Sequence, residues 1–201
     1  VVNCTNITVS NQSVADNGQG ILLAYTTRSI ITKNNLTLNT FNVFLQSSQD
    51  NTITCNAVRS SDYGVELYLS DNNMVCNNTL IDNFFGIDLY ATFSNTVKSN
   101  TATGSTVGIF LYHSHESIVM DNKLLGGKSL VGIALDEAIE NNIVRNRMVE
   151  NTVGMTVDGA SYNTIYHNDF INNTEQAIIA NSKNTWDDGY PSGGNFWSDY
   201  K

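Results

Sequence analysis

Basic residues are scarce in this sequence. Ten Lys and Arg stand against nineteen Asp and Glu over 201 residues, giving a net charge of −9, and only 14% of positions are charged. A surface of that sign repels nucleic-acid phosphates and anionic headgroups, so neither is expected as a partner. Long hydrophobic runs are missing too: no 18-residue apolar stretch occurs, so no membrane-spanning helix is expected. No signal peptide is visible at Val1, and the start reads as mature sequence or as a fragment of a longer chain. Proline occurs once, amid abundant Asn, Gly, Thr and Ser. This is not a composition of disorder, because 41% of residues are hydrophobic and they are regularly spaced.

That spacing is an internal repeat. A Gly-apolar-x-apolar element recurs as Gly20-Ile-Leu-Leu, Asn42-Val-Phe-Leu, Gly64-Val-Glu-Leu, Gly86-Ile-Asp-Leu, Gly108-Ile-Phe-Leu, Gly132-Ile-Ala-Leu, Gly154-Met-Thr-Val and Gln176-Ala-Ile-Ile. The interval is 22 residues except for one of 24, whose two extra residues fall between Gly127 and Gly132. In the same register stand Asn34, Asn56, Asn78, Asn100, Asn122, Asn146 and Asn168, each followed two positions later by an apolar residue, from Leu36 to Phe170.

Apolar alternation with period two specifies strands. A 22-residue unit of two or three short strands cannot bury its own inner face, so it must stack on the next. The predicted fold is all-β: a right-handed parallel β-helix of about eight coils over residues 1–184, with an aromatic capping segment over 185–201. Each coil rises by about 4.8 Å. A leucine-rich repeat would need a leucine consensus and a helical turn per unit, and neither is present. Asn tolerates unusual backbone angles at a sharp turn, and its amide can bond the same Asn one coil above and below. The Gly column is read as another turn, needing positive φ or close backbone approach. Both columns are structural on this reading.

Cys4, Cys55 and Cys76 match no zinc spacing. Cys55 and Cys76 lie one position out of register in neighbouring coils, so they are either a disulfide or free buried thiols. Six Asn-x-Ser/Thr sequons, at Asn3, Asn6, Asn11, Asn35, Asn77 and Asn172, permit an exported, glycosylated protein.

Units such as Asn51-Thr-Ile-Thr-Cys-Asn, Asn95-Thr-Val-Lys-Ser-Asn and Asn163-Thr-Ile-Tyr-His-Asn, with their Gly-Ile-x-Leu-Tyr partners, resemble the β-helix repeats of the NosD-like family, also grouped with carbohydrate-binding proteins and sugar hydrolases. The resemblance covers nearly the whole chain. The tail, Trp186-Asp-Asp-Gly-Tyr-Pro-Ser-Gly-Gly-Asn-Phe-Trp-Ser-Asp-Tyr200, resembles the segment that closes such helices in archaeal surface proteins. The resemblance implies a right-handed β-helix but leaves function open, since that fold hosts lyases, hydrolases, epimerases, adhesins and copper-site accessory proteins. Copper handling would want clustered Met, His or Cys, whereas Met74, Met120, Met148 and Met155 are scattered along strands as core residues would be. No cofactor or metal is therefore expected.

Strand alternation sends Glu66, Asp88, Phe110, Ala134 and Thr156 outward, and with them Tyr68, Tyr90, Tyr112, Asp136 and Asp158. One face thus carries stacked acids beside a ladder of tyrosines. Tyrosines lie well against sugar rings, so Glu66, Tyr68, Asp88, Tyr90 and Tyr112 are the expected ligand contacts. Carboxylates one rung apart also reach the spacings that glycosidases use, which makes Asp88, Asp136 and Asp158 the candidate acids; equally, acids on a solvent face add solubility and stacked Tyr stabilise a sheet. Tyr112-His-Ser-His-Glu116 offers His115 as a base for β-elimination. This run faintly resembles the Tyr…Asp-Pro-His-Glu segment of alginate epimerases, with His113 in place of the Asp and no Pro. His113 and His115 lack a third metal ligand, and the segment also reads as a polar turn. Arg28, Arg59, Arg145 and Arg147 are scattered, which argues against tight recognition of acidic glycans. In the tail, Trp186, Tyr190, Phe196, Trp197 and Tyr200 with Asp187, Asp188 and Asp199 suit either a sugar or calcium site or a flap over the open end of the helix.

The sequence therefore points to a non-catalytic extracellular or cell-surface module with weak glycan contact on the Tyr/acid face. The alternative is a polysaccharide lyase, epimerase or hydrolase. Glycans or neighbouring surface domains are the expected partners, and end-to-end or lateral self-assembly is compatible with a solenoid.

Overall fold

The computed structural model describes residues 1–127 and 130–200. Among them there is no helix, and every strand-to-strand ladder is parallel. Three sheets run the length of a right-handed solenoid. Two are nine-stranded, from Thr8–Ser10 to Lys183–Thr185 and from Ser13–Ala15 to Phe196–Trp197; the third is eight-stranded, from Gln19–Ala24 to Glu175–Ala180. The first two consist mainly of three-residue strands, and the third of six-residue strands.

One coil shows how the sequence produces this. Phe85–Tyr90 forms the long strand, Thr96–Lys98 the first short strand and Thr101–Thr103 the second. Ile87 and Leu89 point inward from the first, Val97 from the next and Ala102 from the last, and all four are buried. Stacking equivalent residues from successive coils makes one continuous apolar core. Burial of that core is the main favourable term, because no coil has any other apolar surface to cover it.

Most corners among the described residues use one device. A residue in the left-handed region is followed by a small residue pointing inward, polar at most corners and alanine at Ala138 and Ala160. Ala91, Ser94, Ser99 and Gly104 take the left-handed positions in this coil, with φ of 50°, 54°, 55° and 69°, and Thr92, Asn95, Asn100 and Ser105 follow them. These inward residues are buried, and Thr92, Asn95 and Asn100 are linked to the next coil, whereas Ser105 Oγ has no hydrogen-bond partner among the described residues. Asn78 donates its backbone N–H to Asn100 Oδ1 at 2.9 Å and its Nδ2 to the same oxygen at 3.0 Å, while Asn100 Nδ2 donates back to the Val75 carbonyl at 2.9 Å. Asn122 then repeats the pattern on Asn100.

This corrects the expected role of the ladder Asn. They do not hold the unusual backbone angles; the residue before each one does, whether Lys33, Cys55, Ser99, Asp121, Arg145 or His167. A left-handed residue with a side chain costs roughly 1–2 kcal/mol, and the buried amide bonds offset that cost at the Asn corners. The Gly column is corrected as well. Gly86 lies inside the long strand without positive φ, and an added Cβ would sit 2.4 Å from the Gly108 carbonyl oxygen. Close approach of neighbouring coils, not a turn, is what disfavours a side chain at Gly86, although the same column accommodates Asn42, whose amide is buried and hydrogen-bonded.

The two-residue insertion expected between Gly127 and Gly132 includes positions 128 and 129, which lie outside the described residues. The pairings on both sides hold: Leu125 stays in register with Val149, and Val131 with Val107. At the C-terminal end, Asn195 continues the Asn168 ladder, and Trp197 stacks on Phe170 with centroids 4.3 Å apart. Trp186 and Trp197 pack against the core at that end.

Candidate functional site on the long-strand sheet

The outward side chains of the long strands form three columns. Phe41, Tyr63, Phe85 and Val107 make the first; Phe44, Glu66, Asp88, Phe110, Ala134 and Thr156 the second; Tyr68, Tyr90, Tyr112, Asp136 and Asp158 belong to the third. The first column was not read from the sequence as part of the site, although the residue preceding each Gly keeps the same 22-residue interval and could have revealed it.

These aromatics change the setting of the acids. Phe41 stacks on Tyr63 at 4.7 Å, Tyr63 on Phe85 at 5.3 Å, and Phe85 leans across to stack on Phe110 at 5.4 Å. Tyr68, Tyr90 and Tyr112 form a tilted ladder on the other side, with centroids 5.2 and 5.0 Å apart. Glu66 and Asp88 lie between, outward by register but only 7% and 4% exposed. Burial pushes the Glu66 carboxyl up to about 7; burial, then the neighbouring Glu66, pushes Asp88 up to about 8. The solvated acidic face read from the sequence is, over these two coils, an aromatic shell enclosing two carboxyls.

Past Phe110 the shell stops, because the next residues in that column are Ala134 and Thr156. The step leaves a hollow of about 330 Å³ floored by Ala134 and Thr156, walled by Phe110 and Ile178, and edged by Asp136 and Asp158. These two acids are register partners on adjacent strands. Asp136 is half-buried, and burial, with Glu137 and Asp158 close by, holds its carboxyl above the usual range, although His113 works the other way. Asp158 is exposed and accepts from Asn181 Nδ2 at 3.2 Å.

His115 is not on this face. It stands at the bridged corner beside the sheet, its ring stacked on Phe93 at 4.9 Å. His113 lies nearer, with its ring 4.1 Å from that of Tyr112 and its Nδ1 3.0 Å from Glu137 Oε2. The run from Tyr112 to Glu116 is therefore a corner that divides its histidines. A wider open cleft, of about 640 Å³, follows the opposite edge of the sheet past Ser60, Asp62, Asp82, Phe84 and Gly104.

Residues 5–201 match the profile of a family described as "Periplasmic copper-binding protein (NosD)". The chain belongs to the NosD family. No curated protein matches its sequence. Among solved structures, this NosD-family solenoid is similar to DFA-IIIase from Arthrobacter chlorophenolicus A6 in complex with GF2, with a TM-score of 0.68, 11% identity, and coverage of 96% of this chain and 60% of that one. It is also similar to the A-module of the mannuronan C-5 epimerase AlgE4 of Azotobacter vinelandii, at TM-score 0.65 and 16% identity over 90% of this chain and 58% of that one. The polygalacturonase of Erwinia carotovora ssp. carotovora aligns at TM-score 0.63 and 14% identity, over 96% and 55%. These likenesses establish the fold, and the chain spans less than two thirds of each of these proteins.

The NosD family description names copper, which favours thiolate, thioether and imidazole donors. The donors of this chain do not gather for it. Met148 and Met155 are buried in the core. Met74 and Met120 stand two coils apart in different columns of the first short sheet. Among the described residues no three of His, Cys, Asp or Glu converge on one point. Cys55 and Cys76 come together only as a pair.

Proposed function

We propose that this chain is a glycan-binding β-solenoid module of an extracellular or periplasmic protein, holding a sugar chain along the outer face of its long-strand sheet. The observation that carries this reading is the continuity of that face. The half-exposed tyrosine ladder runs parallel to the solenoid axis, and where the shell ends it meets a hollow edged by two carboxylates. Tyrosine rings offer broad apolar contact to sugar faces at little conformational cost, and carboxylates accept hydrogen bonds from hydroxyls. An extended polymer of repeating rings matches such a ladder better than a compact ligand does. The family's periplasmic description supports a place outside the cytoplasm. So does the exposure of all six sequon Asn, which are distinct from the buried ladder Asn.

A second reading, a polysaccharide-acting enzyme, is favoured by Asp136 and Asp158. Their backbones are one rung apart, about 4.8 Å, which suits the 5–5.5 Å or so between the carboxyls of retaining glycosidases. Asp136, with its raised affinity for a proton, would protonate the leaving oxygen, and the exposed Asp158 would attack or activate water. One experiment separates the readings. Neutral and acidic polysaccharides are titrated into the protein and the products are chromatographed. The module reading expects binding without shortened or unsaturated products, weakened about tenfold or more in Tyr90→Ala. Turnover lost in both Asp136→Asn and Asp158→Asn would establish the enzyme instead, and absence of both binding and turnover would refute the glycan face.

A further inference from the structure

Two of the three thiols in this chain meet at one hydroxyl. Thr54 and Cys76 are register partners on adjacent strands of the first short sheet, and Cys76 Sγ lies 3.3 Å from Thr54 Oγ1. Cys55 follows Thr54 at the left-handed corner, with φ of 57°, and its Sγ lies 3.4 Å from the same oxygen. The main chains touch as well, since the Cys55 N–H donates to the Cys76 carbonyl at 3.3 Å. One oxygen atom therefore lies within reach of both sulfurs, and a main-chain hydrogen bond joins the two residues directly. Cys4 is remote from them, at another corner of the first coil, where its carbonyl accepts from the Thr27 N–H. The exposures of the pair differ: Cys55 is open to solvent and Cys76 is buried.

We propose that Cys55 and Cys76 close to an intramolecular disulfide, joining two neighbouring coils, when the protein meets a small-molecule disulfide oxidant. The exposed thiol reacts first. The Cys55 thiolate attacks one sulfur of the oxidant, forming a mixed disulfide and expelling a thiolate, which takes up the proton Cys55 gave up. Cys76 then loses its proton and attacks the Cys55 sulfur, expelling the second thiol. Two hydrogens and two electrons leave the protein and reduce one small disulfide to two thiols. Cys76, shielded from bulk oxidant but adjacent to Cys55, acts as the resolving thiol. The bond restricts separation of the two coils, the step by which a solenoid frays. This site is independent of the glycan face.

The test uses the full chain, reduced, freed of reductant and held with oxidised glutathione under native conditions. The accessible thiol count after unfolding in alkylating reagent should drop from three to one, and the mass by about 2 Da for the two hydrogens lost. Trypsin cuts after Arg59, between the two cysteines, so the unreduced digest should contain a linked peptide pair holding Cys55 and Cys76. That pair should persist in Cys4→Ser and vanish in Cys55→Ser, and the oxidised chain should melt a few degrees above the reduced one. Three thiols remaining, a reaction that stops at a glutathione adduct on Cys55, or a bond involving Cys4 would each overturn the proposal.

Discussion

Glu66 and Asp88 are register partners on adjacent long strands, and each has one carboxyl oxygen buried without a hydrogen-bond partner. Two carboxyls this close beneath aromatic rings cannot both ionise cheaply, since burial and mutual repulsion both favour the protonated form.

Stability should therefore depend on pH in a definite direction. In the unfolded chain these groups titrate near 4.3 and 3.9, roughly their model-peptide values; in the fold they titrate at about 7 and about 8. Because the folded values are raised, the contribution of the pair is fully present below about pH 4 and is lost as pH rises through roughly 7–8. Denaturant titrations between about pH 5 and 9 should show a fall of at least about 1 kcal/mol, and Glu66→Gln with Asp88→Asn should flatten that slope. An unchanged slope in the double variant would show that another group controls it.

Replacing Asn100 with Leu should be among the most damaging single changes. It removes the acceptor for both the N–H and the amide of Asn78, and the donor to Val75 and Asn122. Several buried groups then lose their partners together, so a loss of about 3 kcal/mol or more is expected in equilibrium unfolding. A near-neutral result would mean that water replaces the amide at that corner.

Gly86→Ala should be costly although it adds a single methyl group, because the Cβ would meet the next coil's carbonyl oxygen. About 1–3 kcal/mol of destabilisation follows from forcing the coils apart. Gly18→Ala is the control, with nothing within 4 Å of the added atom. Comparing the melting temperatures of the two variants checks the close-approach argument; equal values would refute it.

Trp197→Ala should open the C-terminal end by removing the ring stacked on Phe170, with a loss of about 3 kcal/mol. The exposed end should also bind hydrophobic dye and promote association, measurable by light scattering at increasing concentration. A monomeric, dye-free variant would show that the tail is not needed to cover the stack.

The repeat made the solenoid legible because a 22-residue interval admits few other folds, and strand alternation correctly directed the Tyr and acid columns outward. The corner chemistry was only partly legible. Asn34 to Asn168 stand out as an unbroken column, whereas the columns through Asn51 and Asn39 are interrupted by Ser117, Ser61 and Ser105, where a hydroxyl replaces the amide. The left-handed positions were hidden because Leu38, Cys55 and Arg145 have no intrinsic preference for that conformation; the ladder behind them imposes it. Burial of Glu66 and Asp88 was hidden for a different reason. It depends on side chains from four neighbouring coils leaning across columns, which period and polarity do not encode.

One interval of this chain is 24 residues long, yet the Ser117 N–H still meets Asn141 Oδ1 at 2.9 Å and the Asn122 N–H meets Asn146 Oδ1 at 3.1 Å. Pairing is intact up to Leu125 and again from Val131, so the additional length is confined between them. The strands thus keep their register across the longer coil, and the break falls on one corner column, where Ser105 Oγ and Asn151 Oδ1 are buried without hydrogen-bond partners among the described residues. That break feeds directly into the strand that carries Ala134 and Asp136. The one place where this chain varies in coil length therefore adjoins, along the chain, the strand that floors the hollow of its outer face.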